Sequence, residues 1–131
     1  MRKALVVGGN SGIGLAITLY MLENGYDFVY ITGKETPKME DIPVDKADYF
    51  ARHTSFKRID LTETKFSQME AVEDIDTLII TAGFGRVAPF ESLLPVEIEK
   101  LVKCNMLGVM MMIEKYYHRI RNRQDFYCAV M

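Results

Sequence analysis

The stretch Lys3-Ala-Leu-Val-Val-Gly8-Gly-Asn-Ser-Gly12-Ile-Gly14 decides the fold. Its apolar run from Ala4 to Val7 is typical of a strand that is buried on both faces. The apolar residues that follow the glycines predict a helix ending near Asn24 and Gly25. A strand, a glycine turn and a helix start in this order indicate a cradle for phosphate groups, because the first helical N–H groups and the positive dipole end point at the turn. The alternative is a glycine-rich turn that binds no ligand.

The three spaced glycines have different expected roles. Gly8 ends the strand at a sharp turn, Gly12 lies where the backbone must approach the phosphates, and Gly14 lets the helix pack closely on the strand. Their spacing is G-x-x-x-G-x-G rather than the common G-x-G-x-x-G. No Gly-Lys-Ser/Thr sequence follows, so the stretch is not a P-loop.

Composition narrows the class of protein. The chain has 131 residues and a net charge of −2, which predicts one domain without an electrostatic surface for nucleic acid or an anionic membrane. No apolar stretch approaches the roughly 20 residues of a membrane span. Cys104 and Cys128 lack metal-ligand spacing and lie in apolar segments. We therefore expect free buried thiols, a cytoplasmic location and no metal site.

Strand and helix patterns alternate along the rest of the chain. Further strands are expected at Asp27–Thr32, Phe56–Asp60, Thr77–Thr81 and Phe126–Met131, and helices at Thr62–Ala71, with Thr62 as a cap, and Pro95–Arg121. Pro37 and Pro43 are expected to exclude regular structure over much of the polar stretch 33–48. Repeating β-α units predict an α/β domain over residues 1–131, with a Rossmann-like doubly wound parallel sheet that stops after about the fifth strand.

Four features in this order resemble the N-terminal, cofactor-binding half of a compact, single-domain short-chain dehydrogenase/reductase. They are Gly8-x-x-x-Gly12-Ile-Gly14, Asp60-Leu61, Thr81-Ala82-Gly83 and Cys104-Asn105. The resemblance covers nearly the whole chain. Thr81 departs from the family pattern, which usually has asparagine there. Extended family members need a third glycine at position 11, where this chain has Ser11.

The resemblance implies a set of cofactor-binding residues. Asn10, Ser11 and Ile13 would line the phosphate turn together with Gly8, Gly12 and Gly14. Asp60 would accept a hydrogen bond from the adenine amino group, the Leu61 backbone would touch the ring, and Thr81, Ala82 and Gly83 would lie against the adenine ribose. Two alternatives remain: Asp60 is a solvated carboxylate or a helix cap, and Gly83-Phe-Gly85 is only a flexible loop.

Charge suggests which dinucleotide is preferred. The 2′-phosphate of NADP attracts a cation, whereas the 2′-hydroxyl of NAD suits a carboxylate. The NAD-selecting acid is expected near Gly33 and is absent, while Lys34 follows directly. We therefore expect NADP(H) rather than NAD(H). Glu35 and Ser11 weigh against this assignment, and Lys34 as a solvated surface residue is the alternative.

Asn105 corresponds to an asparagine that, in this family, lies in the active site and helps to hold a water linked to the catalytic lysine. We expect its amide on or beside an apolar helical stripe formed by Ile98, Leu101, Val102, Val109, Met112 and Ile113. The alternative is a structural amide that bonds to nearby backbone.

The family reaction is hydride transfer between nicotinamide and a carbonyl or alcohol carbon, with a serine and a Tyr-x-x-x-Lys pair as the catalytic groups. No tyrosine credibly fills this role. Tyr117 has Arg121 at the fourth position, which is the wrong cation on the wrong helix. The serine is expected at or just after Met131. We therefore expect the cofactor-binding half of an NADP(H)-dependent oxidoreductase, inactive by itself.

Two other functions compete with this reading: a non-catalytic NADP(H)-binding regulatory or interaction domain, and an interaction domain that binds no nucleotide. The complete protein would act on a small-molecule substrate. The apolar run Met106–Ile113 predicts a homodimer or larger assembly, because a family dimer interface uses this helix; a monomer with this helix at its core is the alternative.

Overall fold

Five parallel strands form the centre of the computed structural model, which describes residues 1–63, 65–66, 69–71, 74–83, 88–121 and 127–130. The order across the sheet is β3-β2-β1-β4-β5. The strands are β1 (Lys3–Val7), β2 (Phe28–Gly33), β3 (Thr54–Arg58), β4 (Thr77–Ile80) and β5 (Tyr127–Val130). Because β1 lies between β2 and β4, the chain reverses its winding direction at the carboxyl ends of β1 and β4.

The described part of the chain has four α-helices beside the sheet: α1 (Gly12–Glu23), α2 (Ala47–His53), α3 (Pro95–Val102) and α4 (Val109–Ile120). A π-helical segment, Lys103–Gly108, joins α3 to α4 without a break. Short 3₁₀ turns occupy Met39–Asp41, Val44–Lys46 and Phe90–Ser92. Among the described residues, no helix combines the length and apolarity that crossing a bilayer requires.

The sheet is covered on both faces, as the β-α alternation predicted. Leu5 and Val7 of β1 face a core that includes Met112 and Tyr116 of α4. Their neighbours in β1 face the opposite core, which α1 and α2 complete with Leu15, Leu22 and Phe50. Successive strand residues point to opposite faces, so a strand buried on both faces is apolar throughout.

Two sequence-based predictions are wrong, the bounds of the third strand and the helix after it. β3 begins and ends two residues before the predicted strand, so that Asp60 lies beyond it. The described residues of 62–71 form turns and a short 3₁₀ segment instead of an α-helix capped by Thr62, and residues 64, 67 and 68 lie outside the described part. The reason is local: Oδ1 of Asp60 accepts the N–H of Thr62 at 2.9 Å and its hydroxyl at 2.6 Å, which stabilises a tight turn. The predicted fifth strand is described only for residues 127–130.

Helix α2 was not predicted, because the two prolines made its surroundings look irregular. Pro43 instead precedes a 3₁₀ turn, and α2 follows immediately. Phe50 and Ile42 are buried there and anchor the segment to the second core.

The long helix lies at nearly its predicted position, and part of its predicted buried face is confirmed, since Met112 is buried and Val109 and Ile113 pack against the first core. Ile98 and Val102, expected in the apolar stripe, are 38% and 45% exposed. α3 buries none of its residues, and the π-helical segment changes which side of the helix faces the sheet. The buried residues recur at every fourth position: Cys104, Gly108, Met112, Tyr116 and Ile120.

A buried polar network lies at the amino ends of the strands, opposite the glycine turn. Asp76 is 2% exposed and accepts the Thr77 hydroxyl at 2.7 Å. The Thr77 hydroxyl is also hydrogen-bonded to the Tyr26 hydroxyl at 2.7 Å, and the Arg2 guanidinium donates a hydrogen bond to the same Tyr26 oxygen at 2.7 Å. Nε of Arg2 lies 3.8 Å from the Asp76 carboxylate. The network therefore ties the residues that precede β1, β2 and β4 to one another.

Candidate functional site

A cleft of about 490 Å³ opens at the carboxyl ends of β1, β2 and β4, where the winding direction changes. In open α/β sheets, ligands bind at this switch point. Eleven of the twelve predicted cofactor-binding residues line the cleft: Gly8, Asn10, Ser11, Ile13, Gly14, Lys34, Asp60, Leu61, Thr81, Ala82 and Gly83. Gly12 lies in the same turn as Ser11 and Ile13 but does not line the cleft.

The turn after β1 packs too tightly for side chains at two positions. Gly8 has a φ of +87°, and a Cβ there would lie 2.8 Å from the Ala82 nitrogen. A Cβ on Gly14 would lie 2.0 Å from the carbonyl oxygen of Gly8. The N–H of Gly8 donates to the Thr32 carbonyl at 2.9 Å, which fixes the turn to the end of β2. Helix α1 can therefore start directly against the strand end.

The start of α1 offers unpaired donors to the cleft. Ser11 occupies the N-cap position, but its side chain makes no capping hydrogen bond. Within the described part of the chain, the N–H groups of Gly12, Ile13 and Gly14 have no acceptor. Helix N-termini with free N–H groups and a positive dipole end favour anions. The arrangement suits a phosphate or diphosphate group.

Thr81 links the end of β4 to the end of β1 and the glycine turn. Its hydroxyl donates to the Val7 carbonyl at 3.0 Å and lies 3.3 Å from the Gly8 carbonyl. Its N–H also donates to Val7. The threonine that departs from the family pattern thus still binds β4 to the glycine turn.

Asp60 is not a freely solvated carboxylate. Its side chain is 11% exposed, Oδ1 is engaged by Thr62, and Oδ2 lies 4.0 Å from Nζ of Lys34. Partial burial raises the pKa of Asp60, but the hydrogen bonds from Thr62 and the charges of Lys34 and Arg58 outweigh it, so the pKa lies below its ordinary value. Asp60 is therefore a fixed, charged acceptor at the edge of the cleft.

This environment predicts a pH-dependent contribution to stability. Because the folded-state pKa of Asp60 is lower than the unfolded-state pKa of about 3.9, its contribution is complete above pH 5 and is lost as the pH falls through the folded pKa. Urea unfolding of the wild type and Asp60→Asn should give a difference in stability at pH 7 that is smaller at pH 3. A difference of equal size at both pH values would contradict the assignment.

Asn10 connects two loops of the cleft. Its Nδ2 donates to the Glu35 carbonyl at 2.8 Å, and its side chain lies against Gly33. The sequence pattern placed Asn10 at the phosphate turn but gave no signal of this bridge. From the sequence, Gly33 is notable only as the position that lacks an acidic residue.

Asn105 lies in the π-helical segment directly after the buried Cys104 and is exposed, so its amide is not buried on the apolar stripe but lies beside a buried position. The segment turns it towards the end of β4: a Cβ built on Gly83 would lie 2.9 Å from Oδ1 of Asn105. Its neighbour Cys104 is buried and lines the cleft, and burial raises the pKa of that thiol. Cys104 is therefore an uncharged wall residue at neutral pH.

The described tyrosines provide no acid/base pair in the cleft. Tyr117 is 44% exposed on α4 and is not among the residues that line the cleft. Tyr30 and Lys34 also have the Tyr-x-x-x-Lys spacing, but Tyr30 lies on β2 and Lys34 just beyond its end. Four residues of extended chain span about 13 Å, so this spacing cannot bring an ammonium beside the phenol.

Sequence reasoning missed six residues that line the cleft, and they share one property. Each is next to a predicted site residue in the sequence or lies at the end of a strand, so closeness to the strand ends could have identified them. The six residues are Val7, Thr32, Gly33, Glu35, Ile59 and Cys104. Among the described residues, no group of three or more His, Cys, Asp or Glu side chains has a metal-binding arrangement.

The strand order and the glycine turn at the switch point define a Rossmann-type α/β protein. The family model for the short chain dehydrogenases matches residues 2–125. The chain belongs to this family.

Individual relatives agree with the family assignment. The chain is 28% identical over 113 residues to an acetoacetyl-CoA reductase of Cupriavidus necator, covering 82% of this chain and 46% of that protein. It is 29% identical over 128 residues to an acetoacetyl-CoA reductase of Rhizobium meliloti, covering 93% and 51%. The chain thus spans about half the length of these curated relatives.

Solved structures show the same fold. A bulky-bulky ketone specific alcohol dehydrogenase from Comamonas testosteroni superimposes with a TM-score of 0.83 at 18% identity, over 99% of this chain and 54% of that one. The structure of ElxO with NADP bound gives a TM-score of 0.78 at 21% identity, over 98% and 54%.

Proposed function

We propose that this chain binds NADP(H) and supplies the cofactor-binding part of an oxidoreductase that acts on a carbonyl or alcohol substrate. The observation that carries the proposal is the group of unpaired N–H donors at Gly12, Ile13 and Gly14, of which Ile13 and Gly14 line the cleft at the switch point of the sheet. Membership of the short chain dehydrogenases supports a nicotinamide dinucleotide as the ligand.

The residues of the cleft fit the parts of such a ligand. The amides of Gly12, Ile13 and Gly14 would hold the diphosphate, and Asp60 would accept from the adenine amino group. Thr81 and Gly83 flank the position proposed for the adenine ribose. When bound, the cofactor supplies or accepts a hydride. Asn105, beside Gly83, is the residue of this chain that we propose to contribute to the active site.

Lys34 is the basis for proposing NADP(H) rather than NAD(H). Lys34 lines the cleft, and its side chain is 63% exposed. Asp60, at 4.0 Å, holds it near the proposed adenine site without burying it. A cation in this position favours a 2′-phosphate over a 2′-hydroxyl.

A titration with NADPH and NADH, followed by the fluorescence of the cofactor, tests the proposal directly. The chain contains no Trp, so cofactor emission is the signal. We expect NADPH to saturate with a Kd between about 1 μM and 1 mM, a range that spans about 4 kcal/mol. Lys34→Glu should weaken NADPH binding about tenfold or more and leave NADH nearly unchanged, whereas Lys38→Glu, a charge-matched exposed control, should change neither. Absence of saturation at millimolar NADPH would contradict the proposal.

We propose that these 131 residues bind the cofactor without turning over substrate. Tyr117 and Arg121 are the helical residues with the spacing of the acid/base pair, and arginine cannot replace a compact lysine ammonium. We propose a small-molecule carbonyl compound as the substrate class, which is consistent with the names of the curated relatives. A reducing cytoplasm is the proposed compartment, since Cys104 is buried with a free thiol.

We also propose that the chain forms a homodimer or larger assembly through the long helix. Val102, Met106 and Met110 are 45%, 55% and 62% exposed at consecutive helical turns. Met106→Glu combined with Met110→Lys should lower the molar mass measured by light scattering towards that of one chain. Tyr20→Lys, at a 66% exposed position on α1, should leave it unchanged. A double variant with the mass of the wild-type assembly would contradict this interface.

A further inference from the structure

The side chain of Asn10 covers the backbone of Gly33 at the end of β2. A Cβ built on Gly33 would lie 2.2 Å from Cγ and from Oδ1 of Asn10, closer than a side chain tolerates. Gly33 does not have a positive φ, so its backbone conformation would accept any L-residue. The Asn10 side chain, rather than the local backbone, fills the space beside Gly33, and it must move before a larger residue can occupy position 33.

A hydrogen bond to the loop after β2 holds Asn10 in this position. Its Nδ2 donates to the Glu35 carbonyl at 2.8 Å, which joins the turn after β1 to the loop after β2. Both Asn10 and Gly33 line the cleft. The amide therefore occupies the volume directly above Gly33.

We infer that Asn10 determines which ribose 2′-substituent the cleft accepts, an inference that rests on the proposed dinucleotide function. A carboxylate following β2 accepts a hydrogen bond from a 2′-hydroxyl and repels a 2′-phosphate. Asn10 fills the space that a carboxylate at position 33 would need. With this space filled, the charged residues that line the cleft just after β2 are Lys34 and Glu35. Of the two, Lys34 is the one that can attract a 2′-phosphate.

The inference predicts that positions 10 and 33 are coupled. Gly33→Ala should lower Tm by about 5 °C in the wild-type background and by much less in Asn10→Ala, because the clash has been removed. Asn24→Ala is the matched control: Nδ2 of Asn24 also donates to a backbone carbonyl, that of Tyr20 at 2.7 Å, but at the other end of α1. The decrease in Tm caused by Gly33→Ala should be the same in the wild-type background and in Asn24→Ala.

Dinucleotide binding gives the second readout. Gly33→Asp alone should not gain affinity for NADH, because Asn10 blocks the new carboxylate. Asn10→Ala combined with Gly33→Asp should shift the NADPH-to-NADH affinity ratio towards NADH by about tenfold or more.

The two levels of the proposal fail in different ways. If the wild type binds NADPH but Gly33→Ala costs as much in Asn10→Ala as in the wild type, the inference is overturned and the proposed function stands. A shift towards NADH by Gly33→Asp alone, as large as that of the double variant, also overturns it. If the wild type binds neither dinucleotide, the proposed function fails, and the specificity role of Asn10 fails with it.

Discussion

Gly14→Ala should destabilise the chain by about 3 kcal/mol or more and abolish measurable NADPH binding. The new methyl group would lie 2.0 Å from the Gly8 carbonyl oxygen and 2.6 Å from the Thr81 hydroxyl. The nearest atom is backbone held in the glycine turn, so α1 must move away from β1 to relieve the clash. The cost therefore lies at the upper end of overpacking effects, and the movement separates the first N–H groups of α1 from the cleft.

Gly12→Ala is the matched control for this change. Nothing lies within 4 Å of a Cβ at position 12. The alanine should therefore destabilise the chain by only about 1 kcal/mol, the cost of its φ of +55°. Urea unfolding gives the two stabilities, and cofactor fluorescence gives the two affinities. Equal destabilisation by the two alanines would show that close packing at Gly14 does not hold the turn.

Asp76→Ala is expected to cost about 3–5 kcal/mol, a large part of the stability of a domain of this size. Asp76 is 2% exposed, and its loss leaves the Thr77 hydroxyl and the Arg2 guanidinium without their carboxylate partner. Because the network lies at the amino ends of the strands, the cofactor cleft at the carboxyl ends keeps its geometry. The folded fraction of the variant should bind NADPH with the affinity of the wild type.

Asp48→Ala provides the comparison at the surface. Asp48 is 83% exposed and pairs with Arg52 one helical turn away, an interaction worth about 0.3–0.5 kcal/mol. Chemical denaturation of both variants at pH 7 measures the contrast. A loss below about 1 kcal/mol for Asp76→Ala would mean that the buried network contributes little to the fold.

Much of the fold was predictable from the sequence, because strong local patterns and global topology agree. The apolar run of β1, the glycines and the helix after them each favour the same strand-turn-helix unit. Recurrence of that pattern was enough to predict a doubly wound parallel sheet. Eleven cofactor-site candidates converge on one cleft for the same reason: parallel strands bring their carboxyl ends to one edge.

Features that depend on tertiary contacts were not predictable. The periodicity of the long helix assumed 3.6 residues per turn, whereas Lys103–Gly108 is π-helical and reorients the buried face. Asn105 is exposed for this reason. The turn at Asp60 replaced a predicted helix because one carboxylate oxygen accepts both donors of Thr62. The contact between Asn10 and Gly33 joins residues far apart in sequence, and no local pattern encodes it.

The central claim is that the N–H groups entering α1 hold the diphosphate of a nicotinamide dinucleotide. An amide ¹H–¹⁵N correlation titration with NADP⁺ tests it residue by residue. We expect the largest shifts at Gly12, Ile13 and Gly14. Adenosine 2′-monophosphate, which lacks the diphosphate, should perturb Lys34 and Asp60 but not these three amides. Unchanged resonances at Gly12, Ile13 and Gly14 with millimolar NADP⁺ would contradict it.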